Sequence, residues 1–192
     1  KYCVNLGGFA NISIKTNEKI IAFDICPVNI VLNDICKELG VEYDSNGDIS
    51  RKGKIIPTLL QQLNKLDFYI KKAPKSLGRE WVEEHIFPIL KNHKPEDLIC
   101  TFCEHIAIQI GKFLADESAL FTGGGVFNSF LIERITFHCK AKILVPNKEL
   151  IEFKESLIFA FLGVLKIRSE VNCLKTVTGA DRDNCGGVIH QI

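Results

Sequence analysis

The stretch from Tyr2 to Asn29 constrains the fold more than any other part of the chain. Tyr2–Leu6 reads as a strand, and Gly7 and Gly8 break it. Asn11–Thr16 alternates apolar and polar residues, the mark of a half-buried strand. Asn17 and Glu18 supply a hairpin turn. Ile20–Phe23 is a short apolar run that delivers Asp24 at its end, and Pro27 falls where a first helical turn would start. Three strands in a row, followed by a helix, leave few fold classes open.

The same stretch has the chemistry of a phosphate site. Gly7 and Gly8 lack a Cβ, so their backbone can turn sharply and admit an anion to its amides. Asn11 adds a side-chain donor. An Asp24 placed at a strand end before a helix N-terminus would be stabilised as a carboxylate, able to take a proton from a hydroxyl or water beside a phosphate. A plain Gly-Gly hairpin and a helix-capping Asp are the simpler account of these residues taken alone.

The 192 residues suit one ordinary domain, or one large lobe with an insertion. With 46% apolar residues the chain can bury a core. A net charge of +1 gives no electrostatic footprint for nucleic acid or an anionic membrane. No apolar run reaches the length of a membrane-spanning helix, and no stretch reads as a signal peptide. The chain starts at Lys1 and contains no Met, so a fragment or processed piece with something upstream is expected. Its eight Cys are scattered, several within apolar segments, and read as reduced thiols acting as small hydrophobes. Cys100 and Cys103 have metal-ligand spacing but lack the second pair that a structural zinc site needs.

Further along, Ile30, Val31, Leu32, Ile35 and Leu39 form a helical apolar face closed by Gly40. Tyr43-Asp44-Ser45-Asn46-Gly47-Asp48 is turn chemistry; it lacks the Glu that closes a calcium loop. Ile55–Leu66 is amphipathic. Lys75 and Arg79, in a polar link before a helix from Trp81, have the chemistry to meet a substrate anion; a solvated loop with a weak Arg79–Glu80 pair fits too. A long helix opens at Pro95, and its His105 reads as a packed or surface side chain. An apolar strand then runs into Gly123-Gly124-Gly125, with a helix starting near Asn128. That unit brings backbone and a helix N-terminus against a nucleotide, although its spacing is neither the dinucleotide fingerprint nor a P-loop. A short strand at Ile143–Val145 and an apolar helix at Leu150–Ile167, containing Glu155, follow. The element order predicts a mixed sheet with helices on its faces.

This order resembles one lobe of the actin, hexokinase and sugar-kinase superfamily: an α/β, ribonuclease-H-like mixed sheet (β1β2β3αβ4αβ5α) with a helical insertion at about 40–95. Five ordered motifs narrow the resemblance to anhydro-N-acetylmuramic acid kinases. They are Asn5-Leu-Gly-Gly-Phe-Ala-Asn11, Asp24 with Pro27 and Asn29, Pro74-Lys75-Ser76-Leu-Gly78-Arg79-Glu80, Gly123-Gly-Gly125 with Asn128, and Val177-Thr178-Gly179-Ala180. The resemblance implies the C-terminal, ATP- and sugar-binding lobe of an enzyme that phosphorylates 1,6-anhydro-N-acetylmuramic acid while water opens its anhydro ring, in cytoplasmic recycling of peptidoglycan. It implies Asp24 as the general base, with Glu155 orienting the reacting groups. Gly7, Gly8, Asn11, Gly123, Gly124, Gly125 and Asn128 would meet the nucleotide, and Asn29, Arg79 and Glu80 the sugar. ATP and Mg2+ are the implied cofactors. The implied partners are the anhydro sugar and an N-terminal lobe, on which the tail from about 176 to 192 would pack; a homodimer is left open. A kinase for another anhydro or plain sugar, and a non-catalytic nucleotide-binding lobe, remain alternatives. The family pattern Asp-Thr-Gly-Pro-Gly-Asn stands here as Asp24-Ile25-Cys26-Pro27-Val28-Asn29. Val28 tolerates positive φ poorly, so a loop bent differently, or narrower, is expected. The chain alone is expected to have negligible activity, because phosphoryl transfer needs both sides of its cleft.

Overall fold

A computed structural model describes residues 1–190; positions 191 and 192 of the tail lie outside the described residues. The strands are β1 (Tyr2–Leu6), β2 (Phe9–Lys15) and β3 (Ile20–Pro27), then α1 (Asn29–Glu38). Next come α2 (Pro57–Asn64), α3 (Arg79–His85) and α4 (Pro95–Gly111), with short 3-10 turns between. The chain closes with β4 (Ser118–Thr122), α5 (Ser129–His138), β5 (Lys142–Leu144), α6 (Lys148–Ile167) and α7 (Lys175–Thr178). The sheet order is β3-β2-β1-β4-β5. Neighbours β1, β2 and β3 are antiparallel, while β4 and β5 run parallel to β1. This is the mixed α/β sheet that the order of elements foretold.

The two faces of the sheet differ in chemistry. Val4, Leu6, Ile12 and Phe121 are fully buried on one face and pack with α4, whose residues from Leu98 to Ala107 are all buried. Alternation along the strands sends Asn5, Asn11 and Asp24 to the other face. The helix α6 has only Ile151 buried, and Phe159 on it is 70% exposed.

One sequence expectation is corrected here. Asp24 does not end its strand: β3 continues through Ile25 and Cys26 to Pro27, and Val28 caps α1. Ile25, Cys26 and Val28 are buried, so Cys26 and Val28, at the two glycine positions of the resembled pattern, carry strand and core onward. Val28 takes φ −132°, and no residue from 24 to 28 has a positive φ. The stretch therefore runs without the positive φ that only glycine adopts easily. Pro27 is the last strand residue rather than the first of a helix.

All eight cysteines are free, and Cys26, Cys36, Cys100 and Cys103 are buried. Burial pushes the Cys103 thiol up to about 12, so it stays protonated. Among the described residues no helix is long and apolar enough to cross a membrane. The described part of the tail lies on this lobe: α7 packs against β3, and Gly179 approaches Pro74.

His105 is fully buried on α4, and its partners fix its tautomer. Asn64 Oδ1 accepts from Gln109 Nε2 at 2.6 Å, so it also accepts from His105 Nδ1 at 2.8 Å. Tyr69 OH then donates to Nε2 at 2.9 Å. Burial holds this imidazole neutral, pushing its pKa down to about 3 from 6.5. Between those values the unfolded chain binds the extra proton. The stabilisation is therefore complete above pH 6.5 and is lost as pH falls through about 3. Urea unfolding should show stability falling by about 1.4 kcal/mol per pH unit from this one group between pH 6 and 4. His105→Gln should remove that share of the slope; an unchanged slope would refute the assignment.

Candidate functional site

The register of the sheet builds the site. Asp24 pairs with Asn11 across β3 and β2, Asn11 with Asn5 across β2 and β1, and Asn5 with Thr122 across β1 and β4. Partners in register point to the same face. One polar row therefore crosses four strands and spans roughly 14 Å, three spacings of about 4.8 Å. It lies just inside the sheet edge at which β1 and β4 end in their glycine turns.

Asp24 is half-buried at one end of this row. Its Oδ2 accepts the Leu77 N–H at 2.8 Å, and its own N–H donates to the Lys75 carbonyl at 3.1 Å. The segment ahead of α3 thus covers the outer edge of β3 and fixes the carboxylate. Asn11 beside it is exposed. At the far end, Lys154 of α6 donates to Asn5 Oδ1 and, at 3.2 Å, to Thr122 Oγ1. That contact places α6 over the polar face. Burial lowers the Lys154 pKa, with Glu155 opposing the shift.

The two glycine turns flank the row. Gly7 donates its N–H to the Phe9 carbonyl at 3.2 Å. The Gly7 and Gly8 carbonyls accept the N–H groups of Val28, Asn29 and Ile30, capping α1. The Gly8 N–H makes no backbone bond among the described residues. On the other side Gly123 has φ 86° and ψ 163°, a region open to glycine alone. A Cβ at Gly125 would sit 2.8 Å from Leu6 Cβ, so the turn lies directly on the end of β1. Gly124 faces open space.

Below these turns lie two hollows that meet at Asn29 and Asn33. One, of about 570 Å³, is bounded by Gly124, Gly125, Asn128, Tyr43 and Phe127. The other, of about 780 Å³ and more open, is bounded by Gly8, Asn29 and Arg79. Asn29 Nδ2 donates to the Leu6 carbonyl at 3.4 Å between them. The Asn128 side chain is committed to capping α5, accepting from the Leu131 N–H at 2.9 Å. Arg79 pairs with Glu83 at 2.8 Å on α3. Glu80 is exposed, borders neither hollow and folds back against Gly78. Glu155 is exposed on α6 and follows Lys154.

Lys75 departs from its expected place. Its ammonium donates to the Phe68 carbonyl at 3.1 Å and sits 4.4 Å from the Phe68 ring centre, with the Phe23 and Phe113 rings nearby. Phe23 belongs to the apolar face, so Lys75 points away from the row. Burial lowers its pKa.

Four side chains gain a role at the site only in the structure, although Asp44 reads as turn chemistry and Asn5 as part of a motif. Asp44 is 6% exposed and accepts from the Ile49 N–H at 2.8 Å and the Ser50 N–H at 3.0 Å, with Ser50 Oγ against its Oδ2. It thereby holds the turn that carries Tyr43 to the smaller hollow. Asn5, Thr122 and Lys154 needed the strand register to be recognised together.

The chain resembles known proteins over its whole length. The sequence model of the anhydro-N-acetylmuramic acid kinase family matches residues 1–191. An anhydro-N-acetylmuramic acid kinase of Aliivibrio fischeri is 32% identical over 206 residues, covering 97% of this chain and 55% of the relative. One from Francisella tularensis subsp. novicida is 32% identical over 195 residues, covering 92% of this chain and 51% of the relative. The chain thus spans about half the length of the curated relatives it matches. Among solved structures, an activator of the 2-hydroxyisocaproyl-CoA dehydratase from Clostridium difficile with bound ADPNP superimposes with a TM-score of 0.52 at 17% identity, covering 90% of this chain and 63% of that one. That likeness is one of fold. Sequence match and architecture together make this chain a member of the anhydro-N-acetylmuramic acid kinase family.

Proposed function

We propose that the chain is the ATP- and sugar-binding lobe of a kinase that converts 1,6-anhydro-N-acetylmuramic acid, ATP and water into N-acetylmuramic acid 6-phosphate and ADP, within cytoplasmic peptidoglycan recycling. The observation that carries this reading is the register row, which sets Asp24 on the face flanked by both glycine turns. Adenosine takes the hollow beside Gly124, Gly125 and Tyr43, whose volume suits a nucleoside. The Gly7–Gly8 and Gly123–Gly125 turns face its phosphates. The sugar lies toward Asp24, Asn29 and Arg79.

In this reading Leu77 holds Asp24 Oδ2, which leaves Oδ1 for the attacking water. Asp24 takes a proton as the water oxygen bonds to C1 of the sugar. The bond from C1 to the bridging O6 breaks, O6 takes the γ-phosphoryl group, and ADP leaves. Glu155 orients the reacting groups from α6. Magnesium, where phosphoryl transfer uses it, would supply charge neutralisation to the phosphates. Among the described residues no group of three or more His, Cys, Asp or Glu side chains is placed to hold a metal ion. The relatives are about twice as long, which supports a second lobe on the opposite side of the cleft as this one's partner.

A second reading, a kinase for a different anhydro or plain sugar, is favoured by the buried Cys26 and Val28 that stand where the family pattern has glycines. Turnover of the full-length protein with ATP on anhydro-N-acetylmuramic acid, levoglucosan and glucose separates the two. The first substrate should exceed the others by about 100-fold or more in kcat/KM, as expected when buried polar groups read the sugar's substituents. A preference for levoglucosan or glucose would replace the first reading by the second. ATP binding with no turnover on any of the three would leave a nucleotide-binding lobe without catalysis.

A further inference from the structure

Lys154 reaches Asn5, whose side chain lies beside both glycine turns, and among the described residues it forms no ion pair with a carboxylate. Its Nζ donates to two neutral oxygens, Asn5 Oδ1 and Thr122 Oγ1. An ammonium requires an acceptor, so the oxygen of the Asn5 amide faces Lys154 and the nitrogen faces the other way. The positions of the turns agree: a Cβ on Gly123 would lie 2.8 Å from Asn5 Oδ1, and one on Gly7 would lie 3.2 Å from Asn5 Nδ2. Asn5 therefore spans the gap between the turns, and Lys154 stands over its oxygen end. Two of the three ammonium N–H groups are taken, and the third meets no acceptor among the described residues.

We infer that Lys154 is a phosphate-binding residue, its third N–H directed at the triphosphate between the two turns, with Asn5 and Thr122 as positioning residues. This deepens the proposed nucleotide site and rests on it. A cation bonded only to neutral oxygens, half-buried beside turns that admit an anion, is complemented by phosphate oxygens. The same contacts, taken as a tether for α6 alone, would give Lys154 no preference between a nucleotide and its nucleoside.

The test compares ATP, ADP and adenosine binding to the full-length protein by calorimetry, with melting temperatures recorded alongside. Lys154→Met should weaken ATP by about 10- to 100-fold, as for loss of one hydrogen bond to a charged group, and adenosine by less than about twofold. Lys154→Arg should recover most of the ATP affinity. Thr122→Val, which removes one anchor and keeps the charge, should weaken ATP by a few-fold and spare adenosine, and it serves if the Met variant does not fold. Equal losses for ATP and adenosine, or unchanged ATP affinity in Lys154→Met, would overturn the assignment while leaving the nucleotide site standing. A wild-type protein that binds no ATP would overturn both.

Discussion

Asp24→Asn in the full-length protein should lower kcat by about 10²- to 10⁴-fold, the span that positioned general bases contribute. ATP affinity should stay within about twofold, because the carboxylate does not line the hollow proposed for adenosine. The substitution is nearly isosteric, and an amide oxygen still accepts the Leu77 N–H now held at 2.8 Å. Stability should therefore hardly move, and the loss can be assigned to chemistry rather than folding. Steady-state kinetics with calorimetric ATP titration checks both halves. Turnover close to wild type would remove Asp24 from the base role.

The second large effect is expected at Gly123. Its φ of 86° and ψ of 163° lie where side chains other than glycine's are strained. A Cβ there would stand 2.7 Å from the Leu6 carbonyl oxygen and 2.8 Å from Asn5 Oδ1. Backbone on one side and the Lys154 acceptor on the other leave no room to yield. Gly123→Ala should cost about 2–4 kcal/mol of stability, and it should weaken ATP binding as Asn5 is displaced. Gly124→Ala is the matched control. Its added methyl meets nothing within 4 Å, so stability should stay within about 0.5 kcal/mol while a seated nucleotide is crowded. Thermal melting with and without ATP separates the two. A Gly123→Ala protein as stable as wild type would refute the strain argument.

Most of the sheet was legible because its signals are local. The Tyr2–Leu6 strand coincides with β1, and the Gly40 stop of α1 carries the expected positive φ of 74°. The end of β3 was misplaced because Pro27 reads as a helix start, whereas burial of Ile25 and Cys26 keeps the chain extended up to it. Lys75, open in the sequence between an anion contact and a solvated loop, is drawn toward the aromatic packing for a related reason. A lysine between Pro74 and Ser76 looks solvated, and only the packing of Phe23, Phe68 and Phe113 draws its stem inward. The glycine turns and Asp24 were visible as motifs. Lys154 was not, because 149 residues separate it from Asn5 and no local pattern joins them.

Because the row is written in hydrogen-bond register, it comes into being only when β4 docks beside β1. That closure brings together Asn5 and Thr122, 117 positions apart. Contacts of such long sequence separation form late and slowly. A half-folded chain with its hairpins in place would look native by its local structure and would already align Asp24, Asn11 and Asn5, yet it would lack the Thr122 and Lys154 end of the row.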